Sequence, residues 1–130
     1  MKAAYPIILT PGDKYTVVYI PDFDCNTEGS DTADAMEMAR DAIGLMGITL
    51  EDDKKPIPAP SALADAAAAH PEGTVTLVDV DFAEYRRRND NRTVRRNVSL
   101  PSWLNAAADE AHLNVSAVLQ AALKEALDIA

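Results

Sequence analysis

The sequence is short of the residues that form covalent cross-links, metal sites and membrane spans. Its 130 residues include one cysteine, Cys25, and two histidines, which excludes an intramolecular disulfide and a cysteine-rich zinc site. No apolar run approaches the ~18 residues of a membrane helix. Pro6 and Pro11 interrupt the apolar residues that follow Lys2, unlike a secretory signal. We therefore expect a cytoplasmic protein with no membrane association, no bound metal and no cofactor.

Basic residues are scarce in the first two thirds of the chain and concentrated after them. Residues 1–85 carry 5 basic and 16 acidic side chains, a net charge of −11, whereas residues 86–130 carry 7 and 5, a net charge of +2. Six of those seven basic residues are arginines between Arg86 and Arg96. Such asymmetry indicates two partners of opposite charge. The arginine run at 86–88 is either a phosphate clamp or a solubilising linker.

The acidic part of the sequence has the pattern of an antiparallel sheet with one main helix. Residues 4–9 and 15–20 are predicted strands joined by a Thr-Pro-Gly-Asp-Lys turn, and a short third strand is predicted at 25–28. Asp31 is a good N-cap for a helix of about 15 residues that ends at Gly47, with apolar positions at helical spacing. The remaining predicted elements are a short helix at 63–69, a strand at 74–82 and a charged linker at 86–92.

A strand pattern followed by two helical patterns makes up the rest of the sequence. Polar and apolar residues alternate over 93–100, except that Arg96 interrupts the apolar row. Pro101 ends the strand and presets φ for a helix at 102–112. Asn114 suits a left-handed turn, and Ser116 suits the N-cap of a second helix. A segment of this size cannot bury its own core, so we expect a homodimer or, through pairing of the acidic parts, a tetramer.

The predicted strand has one face suited to DNA and one suited to a partner chain. Arg95, Asn97 and Ser99 share one parity, and side chains of these types bind base edges in a major groove. The opposite parity and the second helix supply the expected dimer core, which consists of Val98, Leu100, Leu119 and Leu123. The expected phosphate contacts are free N–H groups at the start of the second helix and one arginine; they are Val115, Ser116, Ala117 and Arg92.

The order of these elements resembles the ribbon-helix-helix fold, in which paired strands read the major groove. The resemblance is carried by the strand, the Leu-Pro junction at 100–101 and the Asn-Val-Ser turn at 114–116. It implies a dimer with operator DNA as a partner. The alternative is a plain amphipathic helical hairpin that follows an edge strand.

Further motifs run along the acidic part of the chain. They are Tyr5-Pro-Ile-Ile, Tyr15-Thr-Val-Val-Tyr-Ile-Pro-Asp, Cys25-Asn-Thr-Glu-Gly-Ser-Asp-Thr, Ala35 with its helix, and Pro56-Ile-Pro-Ala-Pro-Ser. Together and in this order they resemble the HicB antitoxin family, one branch of which ends in a ribbon-helix-helix domain. The sequence departs from the family's Pro-Gly pair before the cysteine, where it has Phe23 and Asp24.

The resemblance implies an α+β fold and a toxin partner. It implies a partial ribonuclease-H-like head at 1–85, a basic linker at 86–92 and a ribbon-helix-helix domain at 93–130. The implied function is that of a type II antitoxin, which binds a small basic ribonuclease toxin of the HicA type and represses its own operon. Toxin contacts are expected at an exposed rim near Tyr19 and Phe23, which flank the departing loop, although Tyr19 also fits a core position.

Two other functions are compatible with the sequence. One is a stand-alone ribbon-helix-helix regulator whose head senses a small ligand. The other is a metal-dependent nuclease, which needs converging carboxylates. The candidate carboxylates are Asp22, Asp24, Glu28 and Asp31, with Asp79 and Asp81 on a later strand. They fit solvated turn and edge positions better. His70 has no nucleophile nearby in sequence, and His112 suits the last turn of the first tail helix, so neither indicates catalysis. We therefore expect no catalytic residue and no enzyme activity.

Overall fold

A four-stranded antiparallel sheet is the framework of the first part of the chain. The computed structural model describes residues 1–89 and 93–129. The chain divides into two compact units, Met1–Arg92 and Thr93–Ala130, which we call the head and the tail. The strands of the head are β1 (Lys2–Pro11), β2 (Thr16–Ile20), β3 (Cys25–Gly29) and β4 (Thr74–Asp81). They lie in the order β3-β2-β1-β4, so β3 and β4 are the edge strands.

Helices on the sheet complete the described part of the head. They are α1 (Thr32–Asp52), α2 (Leu63–Ala69) and α3 (Phe82–Asn89), and a 3₁₀ turn occupies Pro21–Phe23. The mixed α+β class is confirmed. The four strands predicted in the head and the predicted helix at 63–69 are also confirmed, with ends that differ by at most two residues.

The main core lies between α1 and one face of the sheet. Alternation along β1 places Tyr5, Ile7 and Leu9 on this face, and all three are buried. The neighbouring strands and the inner face of α1 complete the cluster with Val18, Ile20, Val78, Val80, Ala35, Ala39 and Ile43. Full burial of a large aliphatic or aromatic side chain contributes about 1.5–3 kcal/mol relative to exposure. The head therefore has an apolar core of its own.

The start of α1 is fixed by two carboxylates. The Asp31 side chain accepts a hydrogen bond from the Asp34 N–H at 2.8 Å, and the Asp34 carboxylate accepts one from the Ser30 N–H at 2.8 Å. The first bond satisfies a backbone donor that the first helical turn leaves free, and the second ties the residue before the N-cap to the helix. The predicted N-cap at Asp31 is confirmed.

The predicted end of α1 at Gly47 is wrong, because the helix continues to Asp52. Gly47 is buried, and a Cβ atom at this position would lie 2.1 Å from Cε1 of Phe82. The glycine is therefore a packing requirement rather than a helix stop. Within 1–89 and 93–129, no helix has the length and apolar content needed to cross a membrane.

The second face of the sheet is covered in part by α2. Ile8 of β1 and Ala66 of α2 are both buried. Tyr19, which is opposite Ile8 in the sheet register, has its ring centroid 5.5 Å from that of His70, at the C-cap of α2.

The predicted linker at 86–92 is corrected over residues 86–89, which belong to α3. This helix packs on α1. The Tyr85 hydroxyl donates to Asp41 at 3.0 Å, and Arg86 donates to the Ile48 carbonyl at 3.2 Å and pairs with Asp52 at 3.0 Å. Residues 90–92 lie outside the described residues.

The tail contains α4 (Ser102–Glu110) and α5 (Val115–Ala126). The first predicted helix ends two residues early, and the left-handed residue of the turn is His112, with φ of 54°, rather than Asn114. Asn114 is instead the N-cap of α5, since its side-chain oxygen accepts from the Ala117 N–H at 3.1 Å. The predicted N-cap at Ser116 is therefore wrong. An asparagine can cap as well as a serine, and here it precedes Ser116 in the turn.

We expect Gly47→Ala to destabilise the head by about 1–3 kcal/mol, because an added methyl in a packed core forces neighbours to move. Replacing an exposed helical glycine by alanine would instead stabilise the helix by about 1 kcal/mol. The sign of the change in unfolding free energy therefore distinguishes a packing role from an exposed position. The measurement is the free energy of unfolding in urea, followed by circular dichroism. Leu45→Ala, at an exposed position of the same helix, is the control and should change the free energy of unfolding by much less. An equal or smaller loss at Gly47 would contradict the packing argument.

Candidate functional site

The predicted base-reading residues lie in the exposed segment before α4. Arg95, Asn97 and Ser99 are all exposed, and residues 93–100 have no regular secondary structure in the single described chain. A strand is defined by its hydrogen-bonded neighbour, and the predicted neighbour is a second copy of the segment. The alternation of DNA-facing and partner-facing side chains therefore stays a prediction.

The tail has no buried residue among those described. Of the predicted dimer core, Val98, Leu100 and Leu123 are exposed, by 53%, 37% and 58%, and Leu119 is half-buried. The other large apolar side chains exposed in this unit are Val94, Trp103, Leu104, Leu113, Val118 and Leu127. Burial of such side chains is the main favourable term in folding. The tail thus presents its apolar residues outward.

The start of α5 offers fewer free donors than expected. The Ala117 N–H is donated to the Asn114 side chain, so this predicted phosphate contact is occupied within the chain. Val115 and Ser116 stand at the first two helical positions, whose backbone N–H groups have no carbonyl partner within a helix. Arg92, the remaining predicted phosphate contact, lies outside the described residues.

The structure also changes the charge assignment. Because α3 belongs to the head, residues 1–92 carry 9 basic and 17 acidic side chains, a net charge of −8, and residues 93–130 carry 3 and 4, a net of −1. Arg86 pairs with Asp52 at 3.0 Å, and Arg88 pairs with Glu84 at 2.6 Å. The predicted basic block is therefore partly neutralised within the head.

The two predicted toxin contacts differ in exposure. Phe23 is only 7% exposed and packs edge-on against Tyr5, with 5.0 Å between ring centroids, so its expected place on an exposed rim is wrong. Tyr19 is half-buried, and its hydroxyl donates to Asp24 at 2.9 Å. This hydrogen bond, with some burial, raises the pKa of Tyr19. Only Tyr19 remains available at the surface.

Three of the first four carboxylates proposed for a nuclease, all but Glu28, are used in local contacts. Asp22 accepts from both the N–H and the hydroxyl of Ser61, which holds the proline-rich segment. Asp24 binds Tyr19, and Asp31 caps α1. In the part of the chain that the structure describes, no group of three or more His, Cys, Asp or Glu side chains could hold a metal ion.

Asp79 and Asp81 line a cleft of about 420 Å³ beside β4, α1 and α3. The Arg40 guanidinium lies among the carboxylates, 2.6 Å from Glu37 and 3.3 Å from Asp79, and its Nε also donates to the Asp79 carbonyl at 3.0 Å. Asp81 accepts from the N–H of Glu84 and of Ala83, and the Glu84 bond is the main cause of its lowered pKa. The cleft is therefore organised by ion pairs and helix capping.

Sequence reasoning missed both Arg40 and α3 as parts of this cleft. Arg40 stands alone on a predicted helix, and nothing local indicates that it reaches β4, 39 residues away. For α3 a weak signal exists, because Phe82 and Tyr85 are three residues apart and so share one helical face. The three arginines at 86–88 indicated a charged linker instead, so the helical spacing was not recognised.

Comparison with known proteins gives one family. The family model described as "HicB_like antitoxin of bacterial toxin-antitoxin system" matches residues 5–122. A solved structure titled "Crystal structure of the Burkholderia Pseudomallei antitoxin HicB" has 25% identity and a TM-score of 0.58, over 97% of both chains. A chain of "Toxin-Antitoxin complex from Streptococcus pneumoniae" has 21% identity and a TM-score of 0.60, over 96% of this chain and 99% of that one. None of the curated proteins matches.

We expect Tyr85 to make the head sensitive to alkali. Burial, followed by the hydrogen bond to Asp41, raises the pKa of Tyr85 to about 12 from its ordinary value of 10.0. A raised pKa means that the folded head holds the Tyr85 proton more tightly than the unfolded chain does. The stabilisation that this difference gives the folded head is complete below pH 10 and is lost as pH rises toward 12. In Tyr85→Phe, the tyrosinate absorbance step near pH 12 should disappear, and unfolding free energy should fall less steeply across this window. Tyr15→Phe, at an exposed tyrosine, is the control and should leave that step intact.

Proposed function

The chain belongs to the HicB-like antitoxin family, and from this premise we propose that its two units have two partners. The head binds and neutralises a small basic ribonuclease toxin of the HicA type. The tail forms a ribbon-helix-helix dimer on operator DNA and represses the operon that encodes the pair. The observation that carries the proposal is the contrast between the units, because the acidic head has a core whereas residues 93–129 of the tail include no buried residue.

The charge of the head supports a basic partner. A net charge of −8 on residues 1–92 attracts a positively charged protein and raises the association rate, an effect that added salt screens beyond about 8 Å at physiological ionic strength. Tyr19 stays in the proposal as a contact, since it is partly exposed beside Asp24. Phe23 is left out because it is buried.

The unburied tail supports pairing with a second copy. Antiparallel pairing of two copies of residues 93–100 would give each segment its missing hydrogen-bond neighbour and place Val98 and Leu100 against the partner's helices. Arg95, Asn97 and Ser99 would then share the face toward the groove. Val115 and Ser116 would hold a phosphate through their backbone N–H groups.

For DNA binding, we expect Arg95→Ala to weaken the operator complex by about 1–3 kcal/mol if the guanidinium contacts a guanine. Binding to unrelated DNA should change much less, so the specificity ratio should fall. The measurement is fluorescence anisotropy with operator and scrambled duplexes at one salt concentration. Arg87→Ala removes the same charge from an exposed position of α3 and should leave the ratio of operator to unrelated-DNA affinity unchanged. Equal ratios for both variants would contradict the proposed base contact.

For toxin binding, we expect the head alone to neutralise the basic protein encoded beside this gene. The expressed fragment should be residues 1–92, since a cut after residue 85 removes the Arg86 contacts that hold α3 on α1. The measurement is rescue of growth when the toxin is co-expressed with the full chain or with the fragment. If a folded fragment fails where the full chain succeeds, toxin binding needs both units. If no adjacent gene encodes a basic protein, the alternative of a stand-alone regulator with a ligand-sensing head becomes the better-supported proposal.

A further inference from the structure

The two edges of the head sheet are protected differently. On β4, the Arg40 guanidinium donates to the Asp79 backbone carbonyl at 3.0 Å and pairs with the Asp79 side chain at 3.3 Å. A long cationic side chain that binds an edge carbonyl competes with any incoming strand for that acceptor. This edge of the sheet is therefore partly closed by the head itself.

The opposite edge, β3, lacks such protection among the described residues. Cys25–Gly29 pairs with β2 in an uninterrupted register from Ile20 opposite Cys25 to Thr16 opposite Gly29. The strand contains no proline, lysine or arginine, which are common devices against edge pairing. The backbone groups that point away from β2 thus form a template for one more strand, which we call the β3 edge.

The surroundings of the β3 edge are acidic. No lysine or arginine occurs between Lys14 and Arg40, a stretch that contains six acidic residues. Glu28 lies on β3, and Asp24 and Asp31 flank the strand; all three are exposed. An added strand that carried acidic residues would meet like charges, whereas a basic strand would meet opposite ones.

We propose that a strand of a basic protein adds to the β3 edge and extends the head sheet to five strands. The inference rests on the proposed function, because the basic toxin is the partner that supplies this strand. Main-chain hydrogen bonds give such an interaction its geometry, and alternate side chains give it selectivity. Asn26 and Glu28 lie on the Tyr19 face, since Asn26 is opposite Tyr19 in the register. Lysine or arginine side chains of the added strand are expected on that face.

A second copy of the head is the less favoured occupant. Antiparallel pairing of two β3 strands would bring two copies of Asp24, Glu28 and Asp31 to one junction. That repulsion acts on top of the net charge of −8 on each head. Like charges that face each other across strands are destabilising, and the effect would be largest at low salt.

The direct test is amide hydrogen exchange of the full chain, alone and with the basic protein encoded beside its gene. Amides of Cys25–Gly29 that are not bonded to β2 should exchange fast in the chain alone and at least about tenfold more slowly in the complex. Amides of β4 should show no comparable change. Protection of β3 in the chain alone, rising with its concentration, would assign the edge to a second copy and overturn the proposal.

Charge substitutions at the edge provide the second test. Asn26→Lys places a cation beside the β3 edge and should weaken binding of the basic protein about tenfold or more, mainly through loss of strand pairing. Thr74→Lys is the matched control, because it adds the same charge at an exposed position on the other edge strand. Titration calorimetry should give nearly wild-type affinity for this control.

The outcomes separate the two proposals. If the wild-type chain binds the basic protein but Asn26→Lys and Thr74→Lys bind equally well, the docking site lies elsewhere and only the strand-addition proposal is overturned. If the wild-type chain does not bind that protein, the proposed function fails and the strand addition fails with it. Circular dichroism of both variants establishes that the head remains folded.

Discussion

The head depends on the buried side chain of Tyr5. Its ring packs edge-on against Phe23 and Phe82, at centroid distances of 5.0 Å and 6.2 Å, and its hydroxyl donates to the Pro58 carbonyl at 2.7 Å. The central strand, the 3₁₀ turn, the start of α3 and the proline-rich segment therefore meet at one residue. A buried hydroxyl without an acceptor costs about 1–3 kcal/mol, so the aromatic packing and the path of residues 55–61 are fixed together.

Charge in the head is balanced locally around α1 and α3. Arg40 links Glu37 to Asp79, and Arg86 pairs with Asp52 at the far end of the same helix. Exposed ion pairs of this kind add little stability, about 0–1 kcal/mol each. Their larger effect is on the electrostatic field, because they cancel carboxylates near the cleft. The acidic residues around β3 belong to the stretch between Lys14 and Arg40, which contains no basic residue. The negative potential of the head is therefore concentrated around β3.

Sequence reasoning predicted those elements whose signals are local. Strand alternation and the Asp31 cap depend on neighbouring residues, and the structure confirms them. Gly47, Phe23 and Asn114 were misassigned for different reasons. The role of Gly47 is set by Phe82, 35 positions later in the sequence, and Phe23 is buried by Tyr5 across the fold. For Asn114, two adequate caps stood two residues apart, and propensity alone does not decide between them. The DNA-reading face depends on a second chain, which one sequence describes only by pattern.

The absence of a buried residue in the described tail has a consequence for dosage. When a unit gains its core only by pairing, the amount of folded dimer rises with the square of the concentration of unpaired chains. The stability of such a unit is therefore inseparable from the amount of protein present. Under the proposed function, operator occupancy would rise more steeply than the antitoxin level, whereas toxin capture by the separately stable head would follow that level linearly. A modest fall in antitoxin would then lift repression and restart synthesis while most heads still hold toxin.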